Sequence, residues 1–111
     1  MTAKVILTLA VFAAIPGLAL AQGMNMGGSP ADKANMEAMQ KMQNDMAIHG
    51  SGNADEDFVM MMIPHHQGAI DMAKVELQYG KAPELKKMAE MIVSAQQKQI
   101  RQLQKWQSEH K

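Results

Sequence analysis

The 111-residue sequence contains no cysteine, only four aromatic residues and no excess of charge of either sign. Because cysteine is absent, disulfide frameworks, thiolate zinc sites, iron–sulfur clusters, thiol catalysis and lipoprotein acylation are all excluded. Eleven basic and eleven acidic residues cancel, so the chain has no field that would steer it to nucleic acid or to an anionic membrane. A chain of this length forms one domain, and so few aromatic residues predict a core of modest size.

Long hydrophobic runs are also missing, with one short exception near the start of the chain. Residues 5–15 are an apolar run of eleven that follows Lys4 and is broken at Pro16. The run is shorter than the roughly 20 residues that a spanning helix needs, which disfavours the alternative of an uncleaved membrane anchor. Together with the small-x-small pattern at Ala19-Leu20-Ala21, it predicts a cleaved signal peptide over residues 1–21. We therefore expect export to a bacterial periplasm and no membrane attachment after cleavage.

The remaining sequence predicts a flexible tail over residues 22–28 and a single helical metal-binding domain over residues 29–111. No strand-like alternation is present. The expected fold is an all-α, three-helix antiparallel (ferritin-like) bundle. Ser29 is a suitable N-cap and Pro30 suits the first helical position. The three helices are expected from there to about Ile48, from near Ala54 to Tyr79 before Gly80, and from near Pro83 to about Ser108.

The second predicted helix is apolar over more than half of its circumference, so it should pack against two neighbours and be central. Pro64 within it predicts a bend, which either is curvature alone or serves to aim the two histidines that follow. Three helices with so wide a central face predict a bundle that homodimerisation would complete to four. The third helix is expected to bury one face, made of Leu85, Met88, Ala89, Ile92, Val93, Ile100, Leu103 and Trp106.

What the sequence has in excess is methionine, with 13 residues in 111. Methionine often fills irregular gaps in a core, and this remains one interpretation of any single residue. Packing does not explain the repeated Met-x-Met and Met-x-x-Met spacings or the Met60-Met61-Met62 triplet. Thioethers are soft, neutral ligands that suit copper, above all Cu(I), and are poor ligands for magnesium, calcium or manganese. The first helix carries one stripe of such donors, made of Met36, Met39, Met42 and Met46.

Two methionine–histidine pairs lie in the second helix at a spacing of four residues, Met61 with His65 and Met62 with His66. Residues four apart share a helix face about 6 Å apart along the axis, so a thioether and an imidazole can converge on one ion. Met72 shares the His65 face but lies about 10.5 Å further along. Additional ligands are expected from the first helix and from the third, where Met88 is the candidate.

The two histidines are expected to differ in role. They lie about 100° apart on the helix and do not point at one spot. His66 is nearer the middle of the apolar face and is expected to be more structural, while His65 is expected to matter more for metal. The alternative is that a core histidine is hydrogen-bonded rather than ligating, with Gln96 or Gln99 as its partner.

Other chemistries lack their patterns. The bundle contains no Glu-x-x-His pair for a di-iron site and no His-Glu-x-x-His zinc motif. The third residue after the predicted cleavage is Met24 rather than a histidine, so an N-terminal Cu(II) clamp is absent. No serine has the surroundings of a nucleophile. His49 and His110 are expected to be solvated at the ends of helices, with an accessory ligand as the alternative role for either. The sequence therefore predicts a protein that is not an enzyme.

The second helix resembles the signature of a family of small exported ferritin-like bundle proteins that includes CopM-like periplasmic copper-binding proteins. The similarity covers about residues 55–106. This resemblance implies an all-helical bundle that binds Cu(I), and sometimes Ag(I), for copper resistance. It points to Met61, His65, His66 and Met72 as ligands. Late in the third helix, where the family often has Glu-Ile-x-x-Met, this chain has Gln99-Ile100 and then Leu103, which leaves Met88 or Met91 as substitutes. The residues that carry the match are Asp57-Phe58, Met62-Ile63-Pro64-His65-His66, Ala69-Ile70-Asp71-Met72-Ala73 and Pro83-Glu84-Leu85, followed by Ala89, Ile92, Gln96, Ile100 and Trp106.

Two functions of different classes remain open at this point. The first is a periplasmic Cu(I)-binding protein for copper sequestration or delivery, with a copper-delivery or export protein as its partner. The second is a methionine-rich helical module that docks on another protein and binds metal only incidentally. A copper oxidase or reductase is less consistent with the sequence, because blue-copper sites use a cysteine ligand.

We predict that the exported protein is cleaved after Ala21, because the Ala19-Leu20-Ala21 pattern follows a broken apolar run. The intact mass of the protein recovered from the periplasm should correspond to a chain that begins at Gln22. A membrane-bound species that retains Met1 would contradict this prediction.

Overall fold

The computed structural model describes residues 28–47 and 50–111, which form three α-helices and no strand. The helices are α1 (Pro30–Met46), α2 (Ala54–Tyr79) and α3 (Pro83–Glu109). The prediction of an all-α, three-helix bundle is confirmed. The predicted signal peptide and all but the last residue of the predicted tail lie outside the described residues. None of the described helices is long and apolar enough to cross a membrane.

The helix starts are set by side chains that satisfy the first free amide groups. The Ser29 hydroxyl accepts a hydrogen bond from the Asp32 amide at 3.1 Å, and the Asp32 carboxylate accepts one from the Ser29 amide at 3.3 Å. At α2 the Asn53 side chain accepts from the amides of Asp55 and Glu56, at 3.0 and 3.3 Å. Such caps each stabilise a helix by about 1 kcal/mol. Both predicted starts are therefore confirmed.

The helix ends fall within two residues of the predicted positions. α1 ends at Met46 rather than near Ile48, which lies outside the described residues. α2 ends at Tyr79 as expected, but Gly80 is extended, with φ −68° and ψ 156°, so the left-handed conformation common after helices is not used here. α3 continues one residue beyond Ser108.

α2 is the central helix. It packs against both α1 and α3, whereas no Cα atom of α1 lies within 8 Å of a Cα atom of α3. The prediction that α2 has two neighbours is confirmed. The helix also continues through Pro64 without interruption.

The core is small and made mainly of short side chains. Its buried hydrophobic residues are Val59, Ile70 and Ala73 on α2, Ala38 on α1 and Ala89 on α3. Among the residues that the structure describes, Ile70, 2 % exposed, is the one large side chain that is fully enclosed.

The predicted buried face of the third helix is partly wrong. Of its eight members only Ala89 is buried, and Leu85 and Met88 are 48 % and 55 % exposed. The apolar periodicity identified the correct face of α3, but α2 is the only described helix that packs against it.

Gly68 allows a close approach of α1 to α2. It is buried, and a methyl group at this position would lie 2.5 Å from the Met42 sulfur and 3.1 Å from the Met42 Cβ. Contacts below 3.0 Å are too short for real side-chain carbons. The Met42 thioether therefore occupies the space that glycine leaves empty.

We predict that Gly68→Ala lowers the free energy of unfolding by about 1 kcal/mol. Overpacking against Met42 costs about 1–3 kcal/mol, and the higher helix propensity of alanine returns up to about 1 kcal/mol. Urea denaturation of the apo protein measures the difference. In a Met42→Ala background the same substitution should no longer destabilise, because the clash is removed. An equal effect in both backgrounds would show that Met42 is not the neighbour that matters.

Candidate metal-binding face

The methionine side chains are at the surface. Ten of the 13 methionines lie in the described residues, and none of them is buried. Met91 is the most exposed, at 65 %. Filling of the core therefore does not account for most of these residues. Seven are exposed, namely Met36, Met39, Met60, Met61, Met72, Met88 and Met91, and three are half-buried, namely Met42, Met46 and Met62.

The two neighbours of α2 pack on roughly opposite sides of it. Gly68 faces α1, whereas Val59 and Ile70 line grooves together with side chains of α3. These directions differ by about 160–180° on a helix that turns 100° per residue. Two sides of α2 are consequently left between its neighbours, and their composition differs.

One of these sides is mainly polar. It carries a groove of about 440 Å³ bordered by all three helices. Lys41 and Asp45 lie at its α1 edge and form an ion pair 2.5 Å long. The hydrogen bond and charge of Asp45 raise the pKa of Lys41 above its ordinary value, and the charge of Asp71 on α2 adds to this. The remaining lining residues are Met60, Ile63, Pro64, Gln67, Ile100, Gln104 and Gln107.

Three of the predicted ligands lie on the opposite side of α2, along its border with α1, about 20–60° from the direction of Gly68. Met61, His65 and Met72 fall within about 40° of one another on the helix. All three are exposed, Met61 at 37 % and Met72 at 45 %. Phe58 and Tyr79 belong to the same side and are exposed too.

α1 adds thioethers to the same side. Because Lys41 and Asp45 occupy the α1 flank on the polar side, Met39 and Met46 border the other side. The Met42–Gly68 contact fixes the register of the two antiparallel helices. Counting at 1.5 Å per residue from that contact puts Met46 about level with His65, and Met39 about level with Met72. We call this set the methionine face: Met39, Met42, Met46, Met61, His65 and Met72.

The other predicted candidates lie around this face. Met36 is one turn beyond Met39 on α1, and Met88 lies on the flank of α3 that also carries Gln99 and Trp106. That flank borders the same side of α2, since Gln99 and Trp106 share a groove with Phe58.

The second methionine–histidine pair lies in that groove, between the first turns of α2 and the end of α3. The groove has a volume of about 530 Å³, and Met62 and His66 both line it. His66 is half-buried and His65 exposed, which agrees with the expected order of burial. Their rings lie 6.1 Å apart with planes at 63°.

His66 is oriented by the backbone. Its Nδ1 lies 2.7 Å from the carbonyl oxygen of Met62. A carbonyl only accepts hydrogen bonds, so Nδ1 carries the proton and Nε2 has the free lone pair. Such a bond fixes the tautomer and ring orientation of histidine ligands in metal sites.

The alternative in which Gln96 is the hydrogen-bond partner of a core histidine is wrong. The Oε1 atom of Gln96 is buried without a hydrogen-bond partner, and His66 bonds to its own helix instead. Gln99 only lines the groove.

The donors available in the described residues are mostly soft. Within residues 28–47 and 50–111, no group of three or more histidine, aspartate or glutamate side chains is arranged to hold a metal ion. The donors at the surface of the described residues are thioethers, accompanied by single imidazoles.

Sequence reasoning missed an ordered aromatic pair at the end of α3. The rings of Trp106 and His110 are stacked, 4.2 Å apart and 11° from parallel. His110 is exposed, as expected for a residue at a helix end, but it is held in place. The spacing of four residues was the available signal.

The described residues form a small all-α domain with methionines at its surface. The chain matches the family described as domain of unknown function DUF305 over residues 10–107, and it belongs to this family. No curated protein matches the chain.

We predict that neutral His66 exists as the Nδ1–H tautomer, because the Met62 carbonyl accepts its proton. Nitrogen-15 NMR of the labelled apo protein distinguishes the two ring nitrogens, with exposed His65 as the reference in the same spectrum. An Nε2–H tautomer at His66 would contradict the orientation described here.

Proposed function

We propose that the protein binds Cu(I) in the periplasm as cargo, for copper sequestration or delivery, and so contributes to copper resistance. The observation that carries the proposal is the exposure of the methionines, of which none in the described residues is buried. Exposing so many apolar side chains has no stabilising role in the monomer. Thioethers at a surface are useful as ligands.

The methionine face supplies the donor set that Cu(I) prefers. Met61 and His65, one turn apart, are the pair we assign as the first ligands, and Met46 of α1 lies about level with them. Met39 and Met72 extend the set along the face. Soft thioether and imidazole ligands favour monovalent copper over the hard divalent ions, and Ag(I) shares this preference.

A binding role is more consistent with this surface than catalysis. Cu(I) is the cargo, and exposed ligands permit its transfer to a copper-delivery or export protein. The resemblance to CopM-like copper-binding proteins supports the same role, while membership of a family of unknown function neither adds to it nor opposes it.

A methionine-rich docking module is the second candidate. It is favoured by the apolar side chains beside the methionine face, since Phe58 is 55 % and Leu85 48 % exposed. A second copy that completes four helices would cover the same side. Metal binding by the isolated protein separates the two functions, because a docking module does not need it.

We predict that His65→Ala weakens Cu(I) binding at least tenfold, about 1.4 kcal/mol. Met61→Leu should also lower the affinity, and it should leave the fold intact because the volume hardly changes. Binding should weaken in acid, since a protonated imidazole cannot ligate. Anaerobic competition with a colorimetric chelator measures the affinities, and circular dichroism melting of the apo forms checks the fold.

Two variants serve as comparisons. Met91→Leu alters the most exposed methionine, which is the alternative to Met88 on α3 and lies outside the methionine face. This variant should bind Cu(I) like the wild type. His66→Ala should lower apo stability more than His65→Ala, because His66 is half-buried. If His65→Ala and Met61→Leu both bind like the wild type, the α2 site is wrong and the α1 stripe of Met36, Met39, Met42 and Met46 becomes the leading candidate.

A further inference from the structure

A second set of potential copper ligands lies where the last turn of α3 meets the first turns of α2. A cavity of about 400 Å³ at this junction is lined by side chains of both helices. Its lining includes one thioether, one imidazole and one carboxylate, from Met60, His110 and Glu56. Met60 points about 100° away from Met61 around α2, so the cavity is separate from the methionine face.

His110 is held in a fixed orientation at this cavity. Its Nδ1 lies 2.7 Å from the Trp106 carbonyl oxygen, and its ring is stacked on the indole of the same residue. Because the carbonyl accepts the Nδ1 proton, Nε2 is the nitrogen with a free lone pair. Orientation of this kind lowers the entropy lost on ligation and is common for metal-binding histidines.

Met60 is poorly explained by packing. It is 39 % exposed on the central helix and lines the cavity together with His110. Glu56, one turn earlier on α2, brings a carboxylate to the same cavity, which Lys111 also lines. A thioether and an imidazole suit Cu(I), and a carboxylate oxygen extends the set.

We propose that Met60, His110 and Glu56 form a second copper site, which joins the start of α2 to the end of α3. Trp106 borders this cavity and is the only tryptophan of the chain, so its fluorescence reports on this site. The site does not require the methionine face, and the two can be tested independently.

The test is an anaerobic Cu(I) titration of the whole protein in which tryptophan fluorescence and the total copper bound are followed together. In the wild type we expect copper to quench the fluorescence. Met60→Leu should bind one equivalent of copper fewer over the same titration range, and its quenching should need at least tenfold more free Cu(I). Met60→Leu keeps the stacked pair and the side-chain volume. His110→Ala should act in the same direction relative to its own apo fluorescence. Met91→Leu is the matched control.

His65→Ala should lose affinity at the methionine face and retain the quenching, which separates this proposal from the proposed function. Quenching that is unchanged in both Met60→Leu and His110→Ala would overturn the second site. So would quenching that disappears in Met62→Leu, because the copper would then lie in the neighbouring groove that Trp106 also lines. Copper binding without any quenching would overturn the second site alone.

Discussion

The contact between Met42 and Gly68 is the constraint on which the arrangement of ligands depends. α1 buries only Ala38, so its attachment to the rest of the domain rests on a narrow strip. Within that strip the absence of a side chain at Gly68 lets the Met42 thioether lie directly on the backbone of α2. The same contact sets the register of the two helices, and through it the position of the α1 thioethers relative to His65.

Placement of α1 and α3 on opposite sides of α2 makes the domain two-sided. A compact three-helix bundle would bring all three helices together and hide one face of each. Here α1 and α3 do not meet, so the central helix keeps two open sides, one with Lys41, Asp45 and Gln67 and the other with methionines. The exposure of Met61 and Met72 follows from this geometry, and it is what makes them available to an ion or a partner.

Local features could be predicted from the sequence, and features that depend on neighbours could not. The cap at Ser29, the start of α2 near Ala54 and the central position of α2 follow from short-range chemistry and from the width of one apolar face. The exposure of Leu85 and Met88 could not be predicted, because periodicity identifies the apolar face of a helix without showing what covers it.

The candidate site also has a part that could be predicted from the sequence and a part that could not. The pairing of Met61 with His65 follows from their spacing of four residues in one helix. The positions of Met46 and Met39 along the axis of α2 depend instead on a contact between two helices. The cavity at Met60 and His110 joins residues fifty positions apart, which no local pattern reveals.

The exposed thioethers also make the protein sensitive to oxidants. Conversion of methionine to its sulfoxide adds a polar oxygen and removes the soft sulfur donor. In a buried core this change would unfold the domain, but Met36, Met39, Met61 and Met72 are all exposed, and Ile70 and the buried alanines carry no sulfur. Oxidation at this surface would therefore remove the soft donors first and leave the helices folded. Methionine sulfoxide reductases can then restore the thioethers.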